Sequence, residues 1–252
     1  MLWHATQAAP GLEHLMDVLH DRDICWALLT NNATLMVEDY VEKLAGFGLA
    51  ATPNQIYTSA VATAEHLQRT YPAGSAIFAI GEKGIKGELA RRGFTVYEGE
   101  TAPPEPVVAV VAAMDRQLTY QKLVVVSQLI LAGVPFYGTN ADPSYPTPAG
   151  LIPGSGSMLA LLQAATGVAP IVLGKPEKGL FETAIRGMNA EPATTAMVGD
   201  RMDTDILGGK EAGLRTILVL SGVTKAEELP GFDYTPNAVF ANLDELASAL
   251  AG

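Results

Sequence analysis

Thr195-Ala196-Met197-Val198-Gly199-Asp200-Arg201-Met202-Asp203-Thr204-Asp205 is the stretch on which the reading of this chain turns. Its first four residues read as the end of a buried strand. A glycine follows, then three carboxylates within six positions, at Asp200, Asp203 and Asp205. A hard divalent cation such as Mg²⁺ takes oxygen ligands, keeps several waters and is held through one or two carboxylates. In open α/β sheets ligands gather beyond the carboxyl ends of the strands. Acids placed there point to metal-assisted phosphate chemistry.

Outward from this stretch, the same junction of apolar run and polar end occurs twice more. Leu28-Leu29 leads into Thr30-Asn31-Asn32, and Val172-Leu173 leads into Gly174-Lys175-Pro176. Short aliphatic runs alternate with helix-length amphipathic segments, the pattern of parallel α/β folds. Strands are expected at 24–30, 169–173, 195–198 and 216–220, with helices at 37–47, 60–71, 178–188 and 205–212. The middle repeats the alternation, with strands at 76–80, 107–112 and 134–137 and helices at 85–92 and 120–132. Pro103-Pro104-Glu105-Pro106 interrupts it, and residues 139–156 are rich in Pro, Gly, Asn and Asp. Residues 73–170 are expected to form an inserted α/β domain, with 1–72 and 171–252 as the core domain.

Composition bounds the rest. The 252 residues are 48% apolar and 17% charged, a globular balance. Sixteen basic and 27 acidic residues give a net charge of −11. Without a Lys/Arg cluster, that charge argues against a nucleic-acid or anionic-membrane partner. No run approaches the ~18 apolar residues of a membrane span, and the N-terminus lacks the features of a signal peptide. A cytoplasmic location is expected. Cys25 is the single cysteine, which excludes an intrachain disulfide and a Cys-based zinc site. Lying in Ile24-Cys25-Trp26-Ala27-Leu28-Leu29, it is expected to be a buried, inert thiol.

The residue types fit phosphoryl chemistry, in which negative charge on the transferring group needs donors and cations around it. Thr30 brings a hydroxyl, Asn31 and Asn32 bring side-chain or backbone amides, and Lys175 brings a positive charge. Asp200 is expected to bind Mg²⁺ and Asp205 to hold a metal-bound water. Each element also has a plainer reading. Thr-Asn-Asn is turn chemistry, Gly-Lys-Pro a loop with a solvated lysine, and Asp203 or Asp205 a helix N-cap. Capping does not account for Asp200. Gly81-Glu82-Lys83-Gly84-Ile85-Lys86-Gly87 has some features of a phosphate loop but not the required spacing. The four histidines show no ligand spacing.

The ordered set Leu-Leu-Thr-Asn-Asn, Val-Leu-Gly-Lys-Pro and Met-Val-Gly-Asp-Arg-Met-Asp-Thr-Asp-Ile-Leu-Gly-Gly resembles the haloacid dehalogenase (HAD) phosphatase superfamily. Within it the chain is similar to the NagD-like, or nitrophenylphosphatase-like, subfamily. The likeness continues through Tyr57-Thr58-Ser59-Ala60, Tyr145-Pro146-Thr147-Pro148 and Thr216–Gly222. The resemblance implies a Rossmann-like parallel-sheet core with a large inserted α/β cap. It implies hydrolysis of a small phosphate monoester, with Mg²⁺, through an aspartyl-phosphate intermediate. Thr30, Asn31 and Asn32 would grip the phosphate, and Lys175 would steady nucleophile and phosphate. Asp200 and Asp205 would serve the metal. Gly154-Ser155-Gly156-Ser157 and the Asn140–Pro148 loop would lie nearest the substrate, although Gly-Ser-Gly-Ser before a helix also reads as a simple loop and N-cap. Oligomerisation through the cap is a further expectation.

One departure matters. The family's first motif, Asp-x-Asp-Gly-Val-Leu-Trp or similar, supplies the nucleophile and the general acid/base. Met1-Leu2-Trp3 aligns with its last three residues, so the Asp-x-Asp is expected just before residue 1 and the first core strand is read as truncated. Asp17, Asp21 and Asp23 follow too late to replace it. On this reading residue 1 is a misassigned start, a GTG codon written as Met, and the chain as given is inactive. A binding or regulatory relative that keeps the phosphate and metal pocket is the alternative.

Overall fold

The computed structural model describes residues 2–4 and 7–252. Met1 of the expected first-motif remnant lies outside them, and Trp3 enters a short antiparallel hairpin, Trp3–His4 with Gln7–Ala8. The chain divides into two compact units, one of Met1–Leu28, Val41–Ile56 and Ala184–Gly252, the other of Leu29–Tyr40 and Tyr57–Thr183. The 73–170 segment falls wholly within the second.

The first unit carries a parallel sheet of Ala196–Gly199, Arg215–Val219 and Ala238–Phe240, in that order. Met202, Ile206 and Leu218 form a buried cluster there, with Leu220, Leu229, Phe232 and Tyr234 packed against it. Helix Leu12–Asp21 packs on helix Leu243–Ala251, and His14 Nδ1 lies 3.1 Å from Asp244 Oδ1.

The second unit is built on a five-stranded parallel sheet ordered Ile171–Val172, Phe136–Gly138, Ala109–Ala112, Ala76–Ile80, Thr95–Tyr97. Strand side chains alternate between faces, and both faces here are buried. Ile77, Ala79, Ala109 and Val111 meet Ala60, Ala64 and Leu67 of helix Ser59–Thr70 and Ile85 and Leu89 of helix Lys83–Arg91. Ala76, Phe78, Ile80, Val110 and Ala112 meet Val125, Val126 and Ile130 of helix Tyr120–Leu131 and Leu159 and Leu162 of helix Ser155–Thr166. Two-sided burial explains why these strands read as unbroken apolar runs.

The α/β class and the parallel sheets follow expectation, with several differences. The 24–30 strand begins only at Leu28 and pairs with Ile56–Thr58. Asp23 takes a left-handed conformation (φ 52°) after helix Leu12–Asp21, and residues 24–27 run on outside any strand. Cys25 is therefore exposed, not buried. The 139–156 stretch contains an antiparallel hairpin, Ser144–Thr147 with Gly150–Pro153. The 205–212 helix starts as a π-helical turn, Met202–Ile206, before Leu207–Glu211. Among the described residues, no helix is long and apolar enough to cross a membrane.

Candidate functional site

The expected site residues divide between the units. In the first, strand Ala196–Gly199 delivers Asp200 at its carboxyl end. Asp200 is buried; its Oδ2 accepts the Val223 N–H at 3.0 Å and its carbonyl accepts the Thr224 N–H at 2.9 Å. Asp205 is also buried, and its Oδ2 accepts the N–H groups of Asp200 (3.1 Å) and Arg201 (3.2 Å). Thr224 Oγ1 accepts the Met202 N–H at 3.1 Å. The turn after the strand is thus held by side-chain oxygens, and the π-helical turn places Asp205 to supply one of them.

Two glycines make room for these carboxylates. A Cβ on Gly199 would lie 2.2 Å from the Asp205 Cβ, and one on Gly222 would lie 2.1 Å from Asp200 Oδ2. Asp203 is set apart: Arg201 Nη2 donates to its Oδ2 at 2.8 Å and Nε to its Oδ1 at 3.1 Å, at the surface. The guanidinium hydrogen bonds hold the Asp203 carboxyl below its usual range. Among the described residues no group of three His, Cys, Asp or Glu side chains gathers to hold a metal. Asp200 and Asp205 form an all-oxygen, buried pair, a donor set that suits a hard cation bound through few carboxylates and several waters.

In the second unit, Asn31 and Lys175 meet across 144 positions. Asn31 Oδ1 accepts the Lys175 N–H at 2.8 Å, and Asn31 Nδ2 donates to the Lys175 carbonyl at 2.9 Å. The same Nδ2 donates to Asp142 Oδ2 at 2.9 Å, and Asn140 Nδ2 donates to that oxygen at the same distance. Ser59 Oγ donates to the Asn31 carbonyl at 2.6 Å. Lys175 Nζ donates to the Leu29 carbonyl at 3.3 Å, which sets the ammonium beside the start of Thr30-Asn31-Asn32. Thr30 Oγ1 accepts the Asn32 N–H at 3.2 Å, and Asn32 Oδ1 accepts both N–H and Oγ1–H of Thr34, at 2.9 and 2.8 Å. Both Asn side chains are thus engaged by protein groups.

The Gly154–Ser157 segment braces the Asp142 end of this cluster. Gly156 donates its N–H to the Asp142 carbonyl at 2.8 Å, Gly154 its N–H to the Pro143 carbonyl at 2.9 Å, and Ser157 its hydroxyl to the same carbonyl at 2.6 Å. The Gly81–Gly87 segment has its own tertiary partners: the N–H groups of Gly84 and Ile85, opening helix Lys83–Arg91, bond to the carbonyls of Thr34 and Ala33. Asp142 lies within the expected Asn140–Pro148 loop and Gly222 within the Thr216–Gly222 stretch, but the sequence alone gives neither a role of its own. Asn140-x-Asp142 follows strand Phe136–Gly138 as a polar group at a strand's end, the signal that exposed the other three junctions.

Comparison with known proteins agrees with this arrangement of parallel sheets. The family model "Haloacid dehalogenase-like hydrolase" matches residues 1–95, and a second, HAD-hydrolase-like model matches residues 172–246. The chain is 35% identical over 244 residues to 5'-nucleotidase YutF of Bacillus subtilis, covering 97% of this chain and 93% of that one. The crystal structure of a 4-nitrophenylphosphatase from Thermotoga maritima superposes with a TM-score of 0.91 at 31% identity, over 99% of this chain and 94% of that one. NagD from E. coli K-12 superposes at 0.87 and 29% identity, over 97% and 94%. The chain belongs to the haloacid dehalogenase-like hydrolases. Its place among them is the NagD/p-nitrophenyl phosphatase subfamily.

Proposed function

We propose that this protein is a Mg²⁺-dependent phosphatase of a small phosphate monoester, acting through an aspartyl-phosphate. The observation that carries this reading is the junction of Asn31 and Lys175, which supports a single phosphate-facing cluster made from two of the family's motifs. Similarity to a 5'-nucleotidase and to a 4-nitrophenylphosphatase supports the reaction class. It leaves the leaving group open, since a nucleoside and a nitrophenol share only the phosphate ester.

The roles follow from charge. The Thr30 hydroxyl, the Asn31 backbone N–H and the Asn32 amides bind phosphate oxygens, and the Lys175 ammonium offsets the charge that these oxygens and the attacking carboxylate carry. Asp200 and Asp205 are the residues that would hold Mg²⁺, which when bound neutralises phosphate charge and aligns the ester. In this reading residues 73–170 form a cap that selects the leaving group.

The test is hydrolysis of 4-nitrophenyl phosphate by the 252-residue polypeptide and by a form extended at its N-terminus with an Asp-x-Asp segment. The extended form is expected to turn over with Mg²⁺ and to stop with EDTA. Lys175→Met and Asp200→Asn in the extended form should each lower kcat by about 10²–10³-fold, the scale for removing one transition-state electrostatic partner. A folded, extended protein inactive on nucleotide, sugar and aryl phosphates alike would count for the binding-protein alternative.

A further inference from the structure

We propose that Asn31 is a positioning residue for Lys175 rather than a phosphate ligand through its side chain, and that Asp142 locks it in that task. The inference rests on the phosphatase reading for its kinetic consequence but on geometry for its substance.

The Asn31 carboxamide uses both ends on one neighbour. Its oxygen takes the Lys175 N–H at 2.8 Å and its nitrogen gives a hydrogen bond to the Lys175 carbonyl at 2.9 Å. A carboxamide has two N–H donors and one acceptor oxygen. The second Nδ2 hydrogen bond goes to Asp142 Oδ2 at 2.9 Å, so both donors have protein partners. Asn31 and Lys175 are each buried, where an abandoned donor or acceptor is costly. Bidentate contact fixes direction as well as distance. With both its N–H and its C=O held, the backbone of Lys175 has a set orientation, and its side chain leaves that backbone towards the Leu29 carbonyl.

Asp142 fixes the carboxamide in turn. Its Oδ2 receives Asn31 Nδ2 and Asn140 Nδ2 together, so the orientation of Asn31 is defined from outside its own loop. The Asp142 backbone is itself held by the Gly156 N–H at 2.8 Å. A chain of contacts therefore runs from helix Ser155–Thr166 through Asp142 and Asn31 to Lys175. A charge that stabilises a transition state must be aimed before the reaction begins. Asn31 supplies that aim without touching the substrate through its side chain.

Two measurements test this. Amide hydrogen exchange on the 252-residue polypeptide, resolved by residue, should show Lys175 N–H exchanging at least tenfold faster in Asn31→Ala than in the parent. The Val110 N–H, bonded to Pro135 in the sheet of the same unit, serves as reference and should be unchanged. Unchanged exchange at Lys175 overturns the clamp. In the active, extended enzyme, Asn31→Ala and Asp142→Ala should lower kcat at least tenfold with KM for 4-nitrophenyl phosphate within threefold. A tenfold rise in KM at constant kcat would instead make Asn31 a substrate ligand. If Asn31→Ala does not fold, the near-isosteric Asn31→Asp, which keeps the acceptor and loses both donors, is read by the same kcat and KM criteria. If the extended parent itself shows no turnover, the phosphatase reading fails while the exchange experiment still decides the clamp.

Discussion

At the scale of single residues, the acidic turn separates by environment what sequence spacing presents as a cluster. Asp200 and Asp205 are buried and bonded to backbone amides, whereas Asp203 is spent on Arg201 at the surface. Asp200 stands out in the sequence because capping does not account for a carboxylate at a strand end, whereas Asp205 also reads as an N-cap. The grip of Asp205 on two amides was not legible, since it depends on the π-helical turn. Replacing Asp205 by Ala leaves the N–H groups of Asp200 and Arg201 without that acceptor. Urea unfolding should show a loss of about 1–3 kcal/mol, and Asp205→Asn, which keeps an oxygen, should lose less; equal losses would refute the amide-holding role. Cys25 was misread because an apolar run looks buried in sequence, and the left-handed turn at Asp23 puts it outside the strand. One equivalent of a thiol reagent should therefore label the native protein, and labelling only in denaturant would contradict the exposure.

At the scale of elements, the inner strands of the second unit's sheet are the most legible part, because strands buried on both faces write themselves as runs such as Ala76–Ile80, whereas the part-exposed edge strand Thr95–Tyr97 does not. The hairpin Ser144–Thr147 with Gly150–Pro153 was not legible: it is short, largely exposed and carries Pro146 and Pro153, which disguise a strand. Helix Ser59–Thr70 starts where the buried Thr58 Oγ1 accepts the Val61 N–H at 3.1 Å, so Thr58→Ala should cost about 1 kcal/mol in thermal or urea unfolding. Preserved stability in that variant would mean that packing alone fixes the helix start. Helix Lys83–Arg91 is preceded by Glu82, whose carboxylate receives Arg116 Nε at 2.7 Å and Nη2 at 2.6 Å. Those bonds hold the Glu82 carboxyl below its usual value of 4.5. A carboxyl depressed by folding adds stability above its unfolded pKa and loses it as pH falls through the folded one. Glu82→Gln should therefore lower stability at pH 7 slightly and make no difference at pH 2; an equal difference at both pH values would remove the ion pair as its cause.

At the scale of the whole molecule, a net charge of −11 sets a background of self-repulsion. Raising ionic strength from 10 to 150 mM shortens the screening length from about 30 to 8 Å, and Tm should rise by about 2–4 °C, the equivalent of ~1 kcal/mol in a chain of this size. A fall in Tm with added NaCl would show that specific ion pairs outweigh the repulsion. What no local reading supplies is the meeting of Asn31 with Lys175, because nothing near residue 31 announces a partner 144 positions on. That distance has a consequence in time. During synthesis at about 5–20 residues per second, Lys175 follows Asn31 by roughly 7–30 s, and contacts so far apart form only after the intervening chain has closed its loop. Within the second unit the pairing waits on the arrival of its last strand, Ile171–Val172. A growing chain therefore carries an unfinished polar cluster through most of its birth, and the lysine arrives last, into a seat that Asn31 and Asp142 are already on hand to form.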